Sequence, residues 1–268
     1  MGHTIVLAHG VLGFGSPSGL PSPVNYFNRV AAHLKGLGHR VLVPQVDPIG
    51  TIDKRGGQLA DFIHRERNGE RVHIIAHSMG GLDARHAIKK VFDSPDPVAT
   101  LITIGTPHRG SPVADAIENK ADPLFAFIPP FMSAVLELRK KAGALHDLTT
   151  TGGSQFDEAT PDVEGVRYIQ VAGDASVGNE ELILFKLAAA IGRLKEKLND
   201  GVVTRSSALR LPPDGVKVNH ENQDDWPGDH ASEVGWTKPR LVKSLLETLR
   251  IQTPPHLARY EKLVGMLH

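Results

Sequence analysis

The sequence predicts an α/β fold in which helices cover both faces of a mostly parallel central sheet. Short runs of β-branched and aliphatic residues alternate along the chain with segments of helical periodicity, which is typical of parallel strands joined by crossover helices. With 268 residues, of which 40% are hydrophobic, the chain is long enough to bury a substantial core. No internal repeat or linker composition divides it, so we expect a single domain over residues 1–268.

The elements follow one another at short intervals. Predicted strands cover Thr4–Ala8, 40–43, 72–76, 99–104 and 167–171, with a weak candidate at 216–218. Predicted helices cover 27–37, which Gly38 ends, a short segment at 59–63, a segment at 79–91 that follows a strand at once, and a closing helix from residue 240.

The composition excludes several classes of protein. Thirty Lys and Arg balance thirty Asp and Glu, which argues against a nucleic-acid partner. The absence of cysteine excludes disulfides, thiol catalysis and cysteine-ligated metals. No run approaches the roughly 18 apolar residues of a membrane span. The first apolar run, at residues 5–8, is too short for a signal peptide, so either the protein is made without one or the sequence begins after it. The location stays open, with a cytoplasmic protein or signal-independent secretion as the expectations.

The segment AHSMGG at residues 76–81 has the context of a nucleophile elbow, because a predicted strand ends there and a predicted helix follows. So sharp a turn requires small residues two before and two after the serine, and Ala76 and Gly80 meet that requirement. The hydroxyl of Ser78 would then project near a helix N-terminus, where developing negative charge is stabilised. The alternative is that Ser78 merely caps the helix.

The glycine-rich segment HGVLGFG at residues 9–15 ends the first predicted strand. Glycines there allow the backbone to approach a bound acyl group closely. The N–H groups of Val11 and of Met79, the residue after Ser78, are candidate donors to a tetrahedral oxyanion. The dinucleotide-binding spacing G-x-G-x-x-G is absent from this loop, and we expect His9 to brace the loop rather than to titrate in catalysis.

A serine hydroxyl needs a histidine base and an acid that orients the histidine. In an α/β-type elbow the acid precedes the histidine along the chain. The spacing leaves two acids open, Asp174 after the strand at 167–171 and Asp200 in the turn NDGVV. It also leaves two bases open, His220 and His230, the second of which follows a Gly-Asp turn.

A segment without any strand pattern occupies residues 111–160. Three of the nine phenylalanines, Phe125, Phe127 and Phe131, lie close together in it. An apolar helical insertion of this kind is either the core of a small subdomain or a cover over an apolar site.

Together these motifs resemble those of the bacterial triacylglycerol lipases of the α/β-hydrolase superfamily, of the type without a signal peptide or disulfides. The resemblance spans nearly the whole chain and rests on HGVLGFG at 9–15, RGGQL at 55–59, AHSMGGLDARH at 76–86, TIGTPHRGS at 103–111, NDGVV at 199–203 and DWPGDHASEV at 225–234. It implies that Asp200 is the acid and His230 the base. It also implies oxyanion donors at Val11 and Met79, and a mobile helical lid within about 111–160.

The lipase family pattern includes a structural calcium site, with an Asp two residues after the catalytic His. Here that position is Ser232, and the acidic residue that could help upstream is Glu181. Because Ca²⁺ is bound by several oxygen ligands, the pattern is not matched, and we expect no metal and no other cofactor.

The resemblance therefore implies a serine carboxylic-ester hydrolase, a lipase or esterase that acts on apolar acyl esters through a Ser78–His230–Asp200 triad. The expected substrate contacts are Leu12, Phe125, Phe127 and Phe131. The expected partners are a lipid or other apolar ester and, through the lid, a transient lipid interface, with no nucleic acid. Acyl transfer to an alcohol, hydrolysis of a polyester or lactone, membrane anchoring through the lid and a non-catalytic binding role are the alternatives.

Overall fold

The computed structural model describes most of the α/β core and parts of its connections. The described residues are 2–11, 26–27, 29–92, 97–120, 122, 130–175, 199–211, 221–222, 226–227, 230, 233 and 255–267.

A six-stranded, entirely parallel sheet forms the centre of the molecule, with strand order β2-β1-β3-β4-β5-β7. A short parallel pair, β6 with β8, lies beyond its carboxyl end. The strands are β1 (Thr4–Ala8), β2 (Arg40–Leu42), β3 (Val72–His77), β4 (Val98–Ile104), β5 (Arg167–Val171), β6 (Gly173–Asp174), β7 (Glu221–Asn222) and β8 (Trp226–Pro227). The five strong strand predictions are confirmed, whereas the weak candidate at 216–218 lies outside the described residues.

The helices cover both faces of this sheet. They are α1 (Val30–Gly36), α2 (Ile52–Glu66), α3 (Gly80–His86, continued by a π-helical turn, Ala87–Val91), α4 (Pro112–Glu118), α5 (Pro130–Lys141), α6 (Thr150–Ala159), α7 (Arg205–Ala208) and α8 (Pro255–Val264). On one face, apolar side chains of α1 and α8 pack against β1, β4 and β5. On the other face, α2 and α3 pack against β1, β3 and β4.

Two helices differ from the sequence expectations. Helix α2 begins at Ile52, capped by the Thr51 hydroxyl, which accepts a hydrogen bond from the Lys54 amide. The helix predicted at 59–63 is confirmed, but it is part of this longer helix, Ile52–Glu66. After Ile52, the buried positions of its first turns are Arg55 and Gly56 rather than aliphatic residues, and this hides the helical periodicity. Helix α8 was not predicted. The closing helix expected from residue 240 lies outside the described residues.

The segment at 111–160 contributes in part to the core. Aliphatic side chains of α4 and of the short turn His146–Leu148 form a buried cluster with Met79 and Leu82 of the α3 region, and Val11 packs against it. Arg139 of α5 is fully buried and donates hydrogen bonds to the carbonyls of Gly50 and Ala144. The described ends of the expected lid are therefore anchored to the body of the molecule.

Within the described part of the chain, no helix is both long enough and apolar enough to cross a membrane.

Two adjacent glycines of α2 allow a test of how closely α2 and α3 pack. A Cβ at Gly56 would lie 2.7 Å from the His86 ring and 2.9 Å from the Asp83 carbonyl oxygen, whereas one at Gly57 would meet nothing within 4 Å. Gly57→Ala should raise the free energy of unfolding by about 0.4–1 kcal/mol, because alanine restricts the unfolded chain. Gly56→Ala should lower it by roughly 1–3 kcal/mol through overpacking. Urea denaturation of the two variants measures both changes, and equal changes would contradict this packing.

Candidate active site

Ser78 occupies the turn between β3 and α3 in a left-handed backbone conformation. Its φ is 55°, and its amide donates to the Ile104 carbonyl of β4 at 2.9 Å. Non-glycine residues adopt positive φ rarely and at a cost, so such an outlier in a tight strand-to-helix turn is typical of a functional position. The turn leaves the Ser78 side chain 8% exposed at the carboxyl end of the sheet.

Two glycines near this serine, Gly80 in its own turn and Gly10 in the loop after β1, are required because the backbones approach one another closely there. A Cβ at Gly80 would lie 2.4 Å from the Ala8 carbonyl oxygen of β1. A Cβ at Gly10 would lie 2.8 Å from Ser78 Cβ and 3.2 Å from Ser78 Oγ. The loop after β1 therefore runs directly beside the serine.

His230 and Asp200 are brought together although 30 positions separate them. His230 Nδ1 lies 2.7 Å from Asp200 Oδ2, and the His230 amide donates to the Asp200 carbonyl at 3.0 Å. The other carboxylate oxygen of Asp200 accepts from the amides of Val202 and Val203 at 2.8 and 2.7 Å. Asp200 is 1% exposed and has its acceptors occupied, so it can fix one orientation of the imidazole.

The alternative acid and base are placed differently. Asp174 belongs to β6, where its backbone pairs with Pro227 of β8. His220 lies outside the described residues. The imidazole of His230 is 4.5 Å, between ring centroids, from that of His77, the residue immediately before Ser78. The structure thus brings His230 and Asp200 to the serine end of β3.

The loop after β1, which carries Val11, is held by a buried arginine. Arg55 Nη2 donates to the His9 carbonyl at 3.0 Å and reaches the Gly10 carbonyl at 3.5 Å. Its Nε and Nη2 both donate to Asp83 Oδ2, at 2.9 and 2.7 Å. Burial raises the pKa of the Asp83 carboxyl, and the adjacent Arg55 charge opposes that rise. Arg55, which belongs to the RGGQL segment, thus fixes the loop after β1 through its backbone carbonyls.

His9 is a neutral brace in this loop. Its Nδ1 lies 2.8 Å from the Gly10 carbonyl oxygen and its Nε2 lies 3.5 Å from the Val46 amide nitrogen. Burial, together with the Arg55 charge, lowers the pKa of His9 from 6.5 to about 4, against a smaller opposing effect of the Gly10 carbonyl. This arrangement matches the bracing role expected from the sequence.

The sequence analysis missed a second buried acid beside the site. Glu233 is 1% exposed, and its Oε2 lies 2.8 Å from His77 Nε2 and 3.5 Å from His230 Nδ1. Glycines at 105 and 173 make room for it, since a Cβ at either would lie within 2.3 Å of a Glu233 oxygen. The spacing of Glu233 three residues after His230 was the one available signal.

The expected substrate contacts are described only in part. Leu12, Phe125 and Phe127 lie outside the described residues. Phe131 falls within α5, but its side chain is likewise outside the described part. Val11 is half-buried and Met79 is fully buried, at the first turn of α3. The amides of such a first turn have no partner within the helix.

One cluster of histidine and acidic side chains among the described residues can be compared with the ligands of a metal site. The one group of three histidine and acidic side chains whose ligand atoms lie within 4.8 Å of one another is His77, His230 and Glu233. Two imidazoles and one carboxylate, engaged in hydrogen bonds among themselves and with Asp200, do not provide the six to eight oxygen ligands that Ca²⁺ takes. Ser232 and Glu181 lie outside the described residues.

Comparison with known sequences identifies triacylglycerol lipases as relatives. The chain is 30% identical over 274 residues to a triacylglycerol lipase of Pseudomonas fragi, covering 96% of this chain and 89% of that protein. It is 27% identical over 250 residues to a triacylglycerol lipase of Vibrio cholerae, covering 81% of this chain and 78% of that one. The PGAP1-like alpha/beta domain family matches residues 58–171.

Solved structures share the fold. The mature lipase BlEst2 of Bacillus licheniformis superposes with a TM-score of 0.67 at 23% identity, covering 92% of this chain and 91% of that one. A metagenomic carboxyl esterase, MGS0156, superposes with a TM-score of 0.70 at 17% identity, covering 98% of this chain and 74% of that one. Likeness at this level of identity shows a common architecture and no more.

The lowered pKa of His9 predicts acid sensitivity. Unfolded chains take up this proton near pH 6.5, whereas the folded protein does so only near pH 4. The free energy of unfolding should therefore fall as pH drops from 6.5 towards 4, by about 1.4 kcal/mol per pH unit from this group. Urea denaturation of the wild type and of His9→Gln measures the contribution, because the variant should lose that part of the slope. Identical slopes would show that His9 titrates normally.

Proposed function

Since this chain belongs to the bacterial triacylglycerol lipase family of the α/β-hydrolase superfamily, we propose that it hydrolyses carboxylic esters of apolar acyl chains with Ser78 as its nucleophile. The observation that carries the proposal is the left-handed backbone of Ser78 beside the His230–Asp200 pair. A serine that merely caps a helix typically has extended backbone, and the N-cap of α3 is Met79 rather than Ser78.

Acylation begins when the Ser78 oxygen attacks the ester carbonyl. Because Asp200 engages Nδ1 of His230, Nε2 accepts the serine proton. The carbonyl oxygen becomes an oxyanion, to which the amides of Val11 and Met79 donate. Collapse of the tetrahedral intermediate breaks the bond to the leaving alcohol, and His230 returns the proton to that alcohol.

Deacylation repeats these steps with water. His230 takes a proton from water as the water oxygen attacks the acyl-enzyme carbonyl. The second tetrahedral intermediate releases the carboxylic acid, and Ser78 regains its proton. Asp200 keeps its charge throughout, stabilising the imidazolium that forms twice in each turnover.

The substrate class follows from the relatives and from the surroundings of the oxyanion donors. The relatives named above are triacylglycerol lipases. Met79 packs in an aliphatic cluster with Ile52, Leu82 and α4, and Val11 borders the same cluster. An apolar acyl chain is the substrate part that such a wall accommodates without leaving polar groups unpaired.

Removing the nucleophile tests this proposal. Ser78→Ala should lower the rate of nitrophenyl ester hydrolysis by about a thousandfold or more with unfolding unchanged, because only the attacking oxygen is lost. His230→Ala should do the same, whereas His220→Ala, the other base that the spacing allowed, should retain activity. A Ser78→Ala protein with wild-type turnover would exclude the triad.

We also propose that the stretch around Phe125, Phe127 and Phe131 covers the acyl site and contacts lipid. The support is the apolar character of this stretch and its anchored flanks, α4 through its aliphatic cluster and α5 through the hydrogen bonds of Arg139. Phe127→Ser should lower hydrolysis of an emulsified long-chain ester more than that of a soluble short ester, because only the first reaction needs an interface. An equal loss on both substrates would mean that the cluster is ordinary core.

Activity without calcium is the third part of the proposal. Its support is Ser232 in place of the acidic ligand of related lipases, together with the poor donor set described above. Treatment with EDTA followed by dialysis should leave both esterase rate and melting temperature unchanged. A fall in melting temperature that Ca²⁺ alone restores would reveal a calcium site, with Glu181 the first residue to mutate.

A further inference from the structure

A chain of buried hydrogen bonds runs behind Ser78 and uses no member of the triad. The Gly10 backbone lies directly against the Tyr26 hydroxyl, since a Cβ at Gly10 would lie 2.6 Å from that oxygen, and its amide is hydrogen-bonded to it. The Tyr26 hydroxyl in turn lies 2.7 Å from His77 Nδ1, and His77 Nε2 lies 2.8 Å from Glu233 Oε2. All three side chains are buried, with 7% or less of each exposed.

The protonation states of Tyr26 and His77 determine which group donates in each hydrogen bond of this chain. Burial raises the pKa of Tyr26 above its ordinary value, with a smaller contribution from Glu233. Burial also lowers the pKa of His77 far below its ordinary value, and the neighbouring His230 adds to that effect. A neutral phenol that already accepts from Gly10 donates its own proton to Nδ1, which leaves the imidazole proton on Nε2 to face Glu233.

Each link borders a different part of the proposed machinery. Gly10 precedes Val11, His77 precedes Ser78, and Glu233 lies three residues after His230 with an oxygen 3.5 Å from its Nδ1. This chain of hydrogen bonds therefore contacts the loop after β1, the turn at Ser78 and His230, although these lie far apart in sequence.

We propose that Tyr26, His77 and Glu233 are positioning residues, which hold the loop after β1 and the His230 imidazole at fixed separation around Ser78. The inference deepens the proposed function and rests on it. None of the three touches the substrate, so their effect acts through Gly10, the Ser78 turn and His230.

A positioning role has a particular kinetic signature. The oxyanion exists only in the tetrahedral intermediates and the transition states that flank them, so a displaced amide donor weakens those states and leaves ester binding alone. Removing one oxyanion donor outright costs about 10²–10³ in kcat, and displacing one costs less. A loosened chain should therefore lower kcat by about 10–100-fold while KM stays within about twofold.

Tyr26→Phe breaks the chain by removing one oxygen atom. Tyr168→Phe is the matched control, because Tyr168 is equally buried and its hydroxyl accepts a hydrogen bond from the Val163 amide at 3.1 Å, away from Ser78. Both variants lose a hydrogen bond from a backbone amide, so some loss of stability is expected in both, whereas only Tyr26→Phe also loses the hydrogen bond to His77. On a soluble nitrophenyl ester, only Tyr26→Phe should show the fall in kcat.

A tetrahedral inhibitor separates positioning from simple loss of packing. The Ki of an alkyl boronic acid, which forms a tetrahedral adduct on the serine, should rise in Tyr26→Phe by the factor by which kcat/KM falls. In Tyr168→Phe that Ki should be unchanged. If Tyr26→Phe does not fold, His77→Asn interrupts the same chain at its middle, and the same kcat, KM and Ki criteria apply.

The outcomes separate the two proposals. Tyr26→Phe with kcat within about threefold of Tyr168→Phe, or with KM raised and Ki unchanged, overturns the positioning role while an active wild type leaves the ester hydrolase intact. A wild-type protein that neither hydrolyses the ester nor binds the boronic acid overturns the proposed function itself.

Discussion

The left-handed backbone at Ser78 is the constraint on which the rest of the site depends. A residue with a side chain in that conformation is strained by about 1–3 kcal/mol, and it persists only where the surroundings determine it. Here the parallel registers do so, since Ala76 pairs with Ala8 of β1 and His77 with Ile104 of β4. The Ile104 carbonyl then captures the Ser78 amide. The turn, and with it the serine hydroxyl, is built by three strands together.

The buried Arg55–Asp83 pair next to the loop after β1 also depends on the turn at Ser78. With α3 starting directly after the turn, Asp83 lies one turn into the helix and faces Arg55 of α2. Gly56 lets the two helices approach closely enough for that pair to be dry. Arg55 also donates hydrogen bonds to the carbonyls of His9, in the loop after β1, and of Asp47. Removing one partner of such a buried pair typically costs about 3–5 kcal/mol, so loop position and stability are coupled.

The parts of the molecule that could be predicted from sequence are those whose signal is local. Strands β1 to β5 are short runs rich in β-branched and aliphatic residues, and the elbow at Ser78 is indicated by small residues around the serine between a strand and a helix. The choice of Asp200 over Asp174 needed the family resemblance, because the spacing alone did not separate an acid after a strand from an acid in a turn. Only in three dimensions does the 2.7 Å contact with His230 distinguish Asp200.

The missed features have non-local causes. Glu233 is buried only because glycines at 105 and 173, distant in sequence, leave it space. Helix α8 begins at Pro255, and the sequence pair Pro254-Pro255 indicates a break, although proline at the first position of a helix is favourable. Its Leu257, Tyr260 and Leu263 pack on the face formed by α1 and the sheet. The burial of Arg55, which obscured α2, depends on Asp83 in the next helix.

The most direct measurement is the identity of the residue that carries the acyl group during turnover. Wild-type protein mixed with excess nitrophenyl ester, quenched in acid within the first turnover and digested, should yield one acylated peptide, with the added acyl mass on Ser78. The acylated fraction should rise and decay with the burst of nitrophenol. An acyl group found on another residue, or ester turnover with no acylated peptide at any time, would contradict the account.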